Sequence, residues 1–312
     1  MSGRHFIILG TASQAPTRHR HHNSYALRWD DQLLLFDPGE GTQRQAILAG
    51  VATARLTAVC VSHFHGDHCL GLPGVIQRRA LDNRAASGSR VGDPPPLPVF
   101  YPVQGQEYFE RLHHASVFYD TSAAVGRPLD PGAFVRLNPT TTLTVRSLNH
   151  QIPTLGFRLD EDNGLRLDKA RLAHLGISGP DVGRLLAEGR FEAPTGTVGL
   201  SEVSMPRKGQ SFAFVMDTGL CPEAAELAAS VDLLVCESTF LDRDRDLAER
   251  FRHLTALQAA ELAADAGARR LVLSHFSARY PDNQCFAQEA AKVHHDVVAA
   301  EELLVVPVPD RA

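Results

Sequence analysis

The segment VSHFHGDHCLG (61–71) sets His63, His65, Asp67 and His68 within six residues, directly after an apolar run. Imidazole nitrogens and a carboxylate oxygen are zinc donors, and the same set admits Mn2+ or Fe2+. A turn lets side chains at i, i+2 and i+5 face one side, which neither a straight helix nor a strand allows for all four, and Gly66 lets the chain bend there. Chance in a chain with 15 histidines is the competing reading, with an expectation on the order of a few per thousand for H-x-H-x-D-H.

Four side chains do not complete two metal sites. Further donors stand at the ends of apolar runs: His150 after TLTVRSLN, Asp217 after SFAFVM and His275 after RRLVLS. One division gives His63, His65 and His150 to one metal, Asp67, His68 and His275 to the other, and Asp217 to both. Taken singly, Asp217 reads equally as a cap and His150 or His275 as a half-buried histidine; the first cluster tips each toward ligation. Two metals sharing a water bring its pKa toward about 7 and favour hydrolysis at phosphorus or carbonyl by a metal-bridged hydroxide. No Walker-type glycine loop is present.

The elements that must position these groups alternate along the chain. HFIILG (5–10), SYALRW (24–29), QLLLFD (32–37) and RLTAVCVS (55–62) read as strands, and GTQRQAILAG (41–50) as a helix ending at Gly50. Residues 82–98, with Gly, Ser and three consecutive prolines, read as a surface loop before the strand VFYP, and QGQEYFERLHHAS as a helix. TTTLTVRSLNH (140–150), SFAFVMD (211–217), VDLLVCE (231–237) and RRLVLSH (269–275) read as strands, the last three interleaved with helices CPEAAELAAS and LTALQAAELAADAG. This pattern predicts an α/β protein, a pair of packed sheets flanked by helices, with Asp217, Glu237 and His275 converging at one sheet edge.

Composition narrows the function. A net charge of −5 excludes a polybasic nucleic-acid binder, so a polyanionic substrate must be held locally. The five cysteines are scattered, with no C-x-x-C, which argues against a disulfide framework or a cysteine zinc site. No apolar run is long enough for a membrane span or a signal-peptide core, so a cytoplasmic protein is expected.

GTASQAPTRHRHHNSYAL (10–27), FDPGEGTQRQ (36–45), VSHFHGDHCLGLPG (61–74), LNHQIPTLGFRL (148–159), MDTG (216–219), CESTF (236–240), HLTALQAA (253–260) and LSHFSARY (273–280) occur in an order that resembles the ribonuclease Z family. These are the tRNA 3′-end processing endonucleases of the metallo-β-lactamase superfamily. The resemblance runs nearly end to end and implies a four-layer αββα sandwich over 1–312 with a protruding substrate-binding arm at 157–196. It implies that Asp67 both ligates metal and orients or deprotonates the attacking water, and that Glu237 and His253 form the proton-transfer pair at the leaving 3′ oxygen. It also implies two zinc ions per chain, precursor tRNA as substrate, and a homodimer in which one subunit's arm serves the other's site.

The arm departs from the family pattern, with Ser178-Gly179-Pro180-Asp181 in place of a Pro-Pro-Gly-Pro run and only Arg184 and Arg190 across RLLAEGR, which predicts a weaker or differently arranged grip on the tRNA elbow. Arg279 and Lys208 are further candidates for phosphate contact. Arg20 and Arg79 are weaker ones, and the pairs His113/His114 and His294/His295 read as surface residues. Two other readings stay open: a hydrolase of small phosphodiesters or esters on the same fold, and a non-catalytic RNA-binding protein with a structural metal.

Overall fold

The computed structural model describes residues 3–86, 93–194 and 196–311. Strands β1 (His5–Gly10), β2 (Ser24–Trp29), β3 (Gln32–Phe36), β4 (Ala58–Cys60), β5 (Leu97–Pro102) and β6 (Ala124–Leu129) lie side by side. The next strands are β7 (Phe134–Asn138), β8 (Thr141–Ser147), β9 (Leu155–Glu161), β10 (Gly164–Leu167), β11 (Arg190–Ala193), β12 (Gly196–Gly199) and β13 (Ser204–Arg207). They are followed by β14 (Ser211–Val215), β15 (Leu233–Glu237), β16 (Arg270–Ser274), β17 (Val297–Ala299) and β18 (Val305–Pro307). Among the described residues, one seven-stranded sheet has the order β18-β1-β2-β3-β4-β5-β6 and another the order β17-β16-β15-β14-β9-β8-β7.

Alternation in β1 explains the layering. Phe6 and Ile8 join Phe212, Phe214 and Leu233 in the core between the sheets, while Ile7 and Leu9 point the other way, against Leu72, Val75 and Ile76 of the helix Leu72–Ala86. Both faces of the strand are therefore covered, and it reads as an unbroken apolar run. β3, β4, β5 and β6 pair in parallel, as do β14, β15, β16 and β17. The αββα sandwich expected from the resemblance is the one observed.

The helix Leu72–Ala86 has no counterpart in the sequence reading, which ran a loop from residue 82. Its buried face includes Arg79, 1% exposed, whose guanidinium donates to the carbonyls of Ser122, Ala54, Leu56 and Pro95. A charged residue facing inward breaks the apolar periodicity by which a helix is recognised. Of the expected loop, residues 87–92 lie outside the described residues. Two of the supposed surface histidines are buried: His113 Nε2 meets Asp120 Oδ2 at 2.7 Å and His294 Nε2 meets the Ala268 carbonyl at 2.9 Å. Among the described residues no helix is long and apolar enough to cross a membrane.

Residues Asp160–Gln210, with Arg311, form a second compact unit. Its small core comprises Leu172, Ile177, Leu185, Ala193, Val198 and Val203. The unit has two antiparallel pairs, β10 with β13 and β11 with β12, and between β10 and β11 in the chain come the helices Lys169–His174 and Pro180–Glu188. Pairing of β13 with β10 carries the unit past residue 196, to Gln210. Its two ends are bonded to each other: Glu161 N donates to Gln210 O at 2.9 Å, and Gln210 N donates to Glu161 Oε2 at 3.0 Å. A Cβ on Gly209 would lie 1.9 Å from the Glu161 carbonyl, so this junction requires glycine.

Candidate metal centre

β4 stops at Cys60, and the chain turns through His63 and His65 into the short helix Gly66–Cys69, which carries Asp67 and His68. Asp217 and His275 follow β14 and β16, with φ of 46° and 63°. Asp37, following β3, has φ of 43°. Left-handed backbone at a non-glycine residue costs about 1–3 kcal/mol and persists only where the surroundings enforce it. At these three strand ends it swings a polar side chain out of the sheet.

One donor group comprises His63, His65, His150 and Asp217, and another Asp67, His68 and His275, with the donor atoms of each within 4.8 Å of one another. Asp217 serves both. Its Oδ2 lies 3.6 Å from His63 Nε2 and 3.7 Å from His150 Nε2, and its Oδ1 3.5 Å from His68 Nε2 and 3.0 Å from His275 Nε2. Asp67 Oδ2 stands 3.3 Å from His68 Nε2 and 3.5 Å from His275 Nε2.

Divalent cations fit this set. Asp217 Oδ1 and His275 Nε2 are buried and have no hydrogen-bond partner among the described residues, an expensive condition that ligation would relieve. Burial opposes a charge on His68, yet Asp217, Asp67 and Asp37 outweigh it and raise its pKa well above the usual imidazole value. Burial likewise opposes ionisation of Asp217, and His275, His68 and His63 reverse it. Burial lowers the pKa values of His63, His65 and His150, keeping those imidazoles in the neutral form that binds a metal.

The outer ring nitrogens are already engaged. Asp37, fully buried, accepts from Ser62 N at 2.6 Å, Ser62 Oγ at 2.7 Å and His68 Nδ1 at 2.8 Å. Ser62 Oγ in turn accepts from His63 Nδ1 at 2.9 Å. Thr239 Oγ1 donates to Glu237 Oε2 and accepts from His275 Nδ1, both at 2.7 Å, and His150 Nδ1 donates to Arg252 O at 3.2 Å. The Nε2 atoms of His63, His68, His150 and His275 are thereby directed inward, whereas His65 presents Nδ1, 3.0 Å from His63 Nε2 and 3.4 Å from His150 Nε2. Asp37, Ser62 and Thr239 had no role in the sequence reading, although Asp37 follows QLLLF just as Asp217 follows SFAFVM. Asp37→Asn is expected to weaken divalent-metal affinity by about 10- to 100-fold, measured by competition with a chelating dye; unchanged affinity would rule out this orienting role.

Glu237 and His253 meet beside the cluster, Oε1 to Nδ1, at 2.8 Å. Glu237 is fully buried and also accepts from Thr218 N at 2.8 Å and Thr239 N at 3.1 Å. Burial works against protonated His253, but the Glu237 carboxylate more than offsets it and holds the ring at about 9. His253 opens on a cleft of about 690 Å³ that also reaches Asp67, Asp217, His275 and Arg279, with Glu237 buried behind it.

The expected phosphate-holding residues are dispersed. Arg279 is exposed at the cleft, whereas Lys208, Arg184 and Arg190 belong to the second unit, where Arg184 is paired with Asp181 at 3.0 Å. Arg20 is buried and spends its guanidinium on the carbonyls of Ser277 and Tyr280, so it braces the loop and does not face a substrate.

Residues 17–150 match the metallo-beta-lactamase superfamily and residues 186–276 the beta-lactamase superfamily domain. Ribonuclease Z of Salinispora arenicola is 51% identical over 312 residues, spanning 100% of this chain and 98% of that protein. The chain belongs to the ribonuclease Z family. Within that family, ribonuclease Z of Nocardia farcinica is 50% identical and that of Chlamydia muridarum 39%, each match covering 100% of both chains. The crystal structure of human tRNase Z, short form, superposes with a TM-score of 0.70 at 23% identity over 98% of this chain and 100% of that one. YhfI of Bacillus subtilis, a metallo-beta-lactamase fold protein, does so with a TM-score of 0.68 at 18% identity, over 98% and 100%. At such identities the two structures speak for the fold alone, and the family assignment rests on the sequence relatives.

Proposed function

We propose that this protein is a metal-dependent endoribonuclease that cuts precursor tRNA on the 3′ side of the discriminator nucleotide, releasing the 3′ trailer and leaving a 3′-hydroxyl on the tRNA. The observation that carries this reading is His253, oriented by buried Glu237 at 2.8 Å and lining the same cleft as Asp217, Asp67 and His275 of the donor cluster. His63, His65 and His150 would hold one divalent ion, Asp67, His68 and His275 a second, and Asp217 both; zinc suits these N and O donors. Such ions, when bound, acidify water and neutralise charge on a phosphodiester.

The chain's own groups do the rest. Asp67, its Oδ2 fixed by Gln14 N at 2.7 Å, accepts a proton from the attacking water and keeps it aimed at phosphorus. His253, oriented through Nδ1 by Glu237, donates a proton from Nε2 to the departing 3′ oxygen. Arg279 at the cleft rim holds a flanking phosphate, and the second unit supplies Lys208, Arg184 and Arg190 to phosphates farther along the tRNA. In this reading the protein is a cytoplasmic homodimer whose subunits lend each other these units; family resemblance supports it.

The test is cleavage of end-labelled precursor tRNA, with and without a metal chelator, by the wild type and by a variant with residues 162–209 replaced by an Asn-Gly turn. Chelation should abolish cleavage. The variant should lose about tenfold or more in kcat/KM for precursor tRNA, with hydrolysis of bis(p-nitrophenyl) phosphate nearly unchanged. Full precursor cleavage without residues 162–209 would end the proposed role of the second unit, and chelator-resistant cleavage would end the role of metal.

A further inference from the structure

A hydrogen-bonded chain crosses the sandwich beneath the donor cluster. Tyr25 on β2 is fully buried, stacked on Phe6 with ring centroids 5.4 Å apart and edge-on to Phe214 at the same distance. Its hydroxyl donates to Asn23 Oδ1 at 2.6 Å and accepts from Ser274 Oγ at 2.8 Å. Asn23 Nδ2 lies 3.4 Å from His68 Nε2, the nitrogen assigned to the metal, so this end of the chain is a packing contact against the imidazole edge and not a bond. Ser274, the last residue of β16, directly precedes His275. His68 belongs to the segment after β4 in one sheet and His275 to the end of a strand in the other, so the chain links donors from opposite halves of the molecule.

Three polar side chains, Asn23, Tyr25 and Ser274, each at most 1% exposed, occupy space next to an aromatic core. Phenylalanine would fill the Tyr25 site equally well, and burial of a hydroxyl brings no hydrophobic gain. A satisfied polar network in such a place restricts geometry. What it restricts here is the span between His68 and His275. On the other side of His275, Phe276 N donates to Thr11 O at 2.8 Å, so the strained His275 backbone is held from both flanks. The His63 side of the cluster is oriented separately, by Ser62 and Asp37.

We propose that Tyr25 is a positioning residue, a strut that sets the spacing of His68 and His275 and thereby the affinity and geometry of the Asp67–His68–His275 metal site, leaving the His63–His65–His150 site untouched. The inference rests on the reading of the cluster as a holder of two divalent ions. Its test needs no turnover. Metal-depleted wild type and Tyr25→Phe are titrated with Co2+, followed by calorimetry and by the visible ligand-field spectrum, with the melting temperature recorded alongside.

Wild type should take up two Co2+. In Tyr25→Phe one Co2+ should bind as in wild type, while the other binds about 10- to 100-fold more weakly with an altered spectrum. Ser274→Ala breaks the same strut at its other end and should reproduce that selective loss, which covers the case in which Tyr25→Phe fails to fold. A lowered melting temperature with both ions bound as in wild type would reduce Tyr25 to a core residue and overturn the proposal. Equal weakening of both ions would also overturn it. Failure of the wild type to bind Co2+ would instead bring down the two-ion reading beneath it.

Discussion

Asp67→Ala should lower kcat/KM for precursor tRNA by about a thousandfold or more, in a protein that still folds. Asp67 Oδ2 faces His68 and His275 and accepts from Gln14 N, so alanine removes an anionic donor, frees the loop at Gln14 and leaves those two imidazoles with Asp217 as their one shared carboxylate in the cluster. Stability should change less than activity, because the sheets pack through aromatic and aliphatic contacts that Asp67 does not share. Elemental analysis of the purified variant should find the metal of the Asp67–His68–His275 group depleted. Full metal content together with undiminished cleavage would refute the assignment of Asp67 as ligand and proton acceptor.

The second large effect is expected at the proton donor. His253→Ala should reduce kcat for precursor tRNA by about 10²- to 10⁴-fold, the range typical of a lost general acid, and Glu237→Gln by the lower part of that range. A ribose 3′ oxygen departs as a strongly basic alkoxide and needs a proton, whereas p-nitrophenolate does not. Hydrolysis of bis(p-nitrophenyl) phosphate should therefore fall much less in both variants. If the two substrates lose activity in parallel, the pair acts through the neighbouring Thr239 and His275, to which Glu237 is linked at 2.7 Å through the threonine hydroxyl, and not as a proton donor.

The donors that lie close together in sequence, His63 to His68, were legible because one turn brings them to one side. His150, Asp217 and His275 were legible because each terminates an apolar run, and the fold brings such ends to the donor cluster. Asp37 obeys the same rule, but its carboxylate meets the His68 imidazole through the outer nitrogen and His63 through Ser62, a relation that exists only in three dimensions. Arginines were the least legible. Arg79 and Arg20 carry the same charge as Arg279, yet the first two are buried against carbonyl oxygens and the third is exposed at the cleft. Side-chain type does not say which way a basic residue faces. His113 and His294 failed to be recognised as buried for the same reason: one member of each histidine pair faces inward and the other outward.

The bonded junction of Glu161 with Gln210 gives the second unit the character of a cassette. Because the polypeptide leaves and re-enters at neighbouring points, everything between those residues can lengthen, shrink or change charge with little entropic penalty to the parent sandwich, for closure of a longer loop grows only logarithmically with length. The sandwich and the second unit are thus free to diverge at separate rates, and on the role proposed for that unit, swapping residues 162–209 between relatives is expected to change substrate preference without rebuilding the donor cluster.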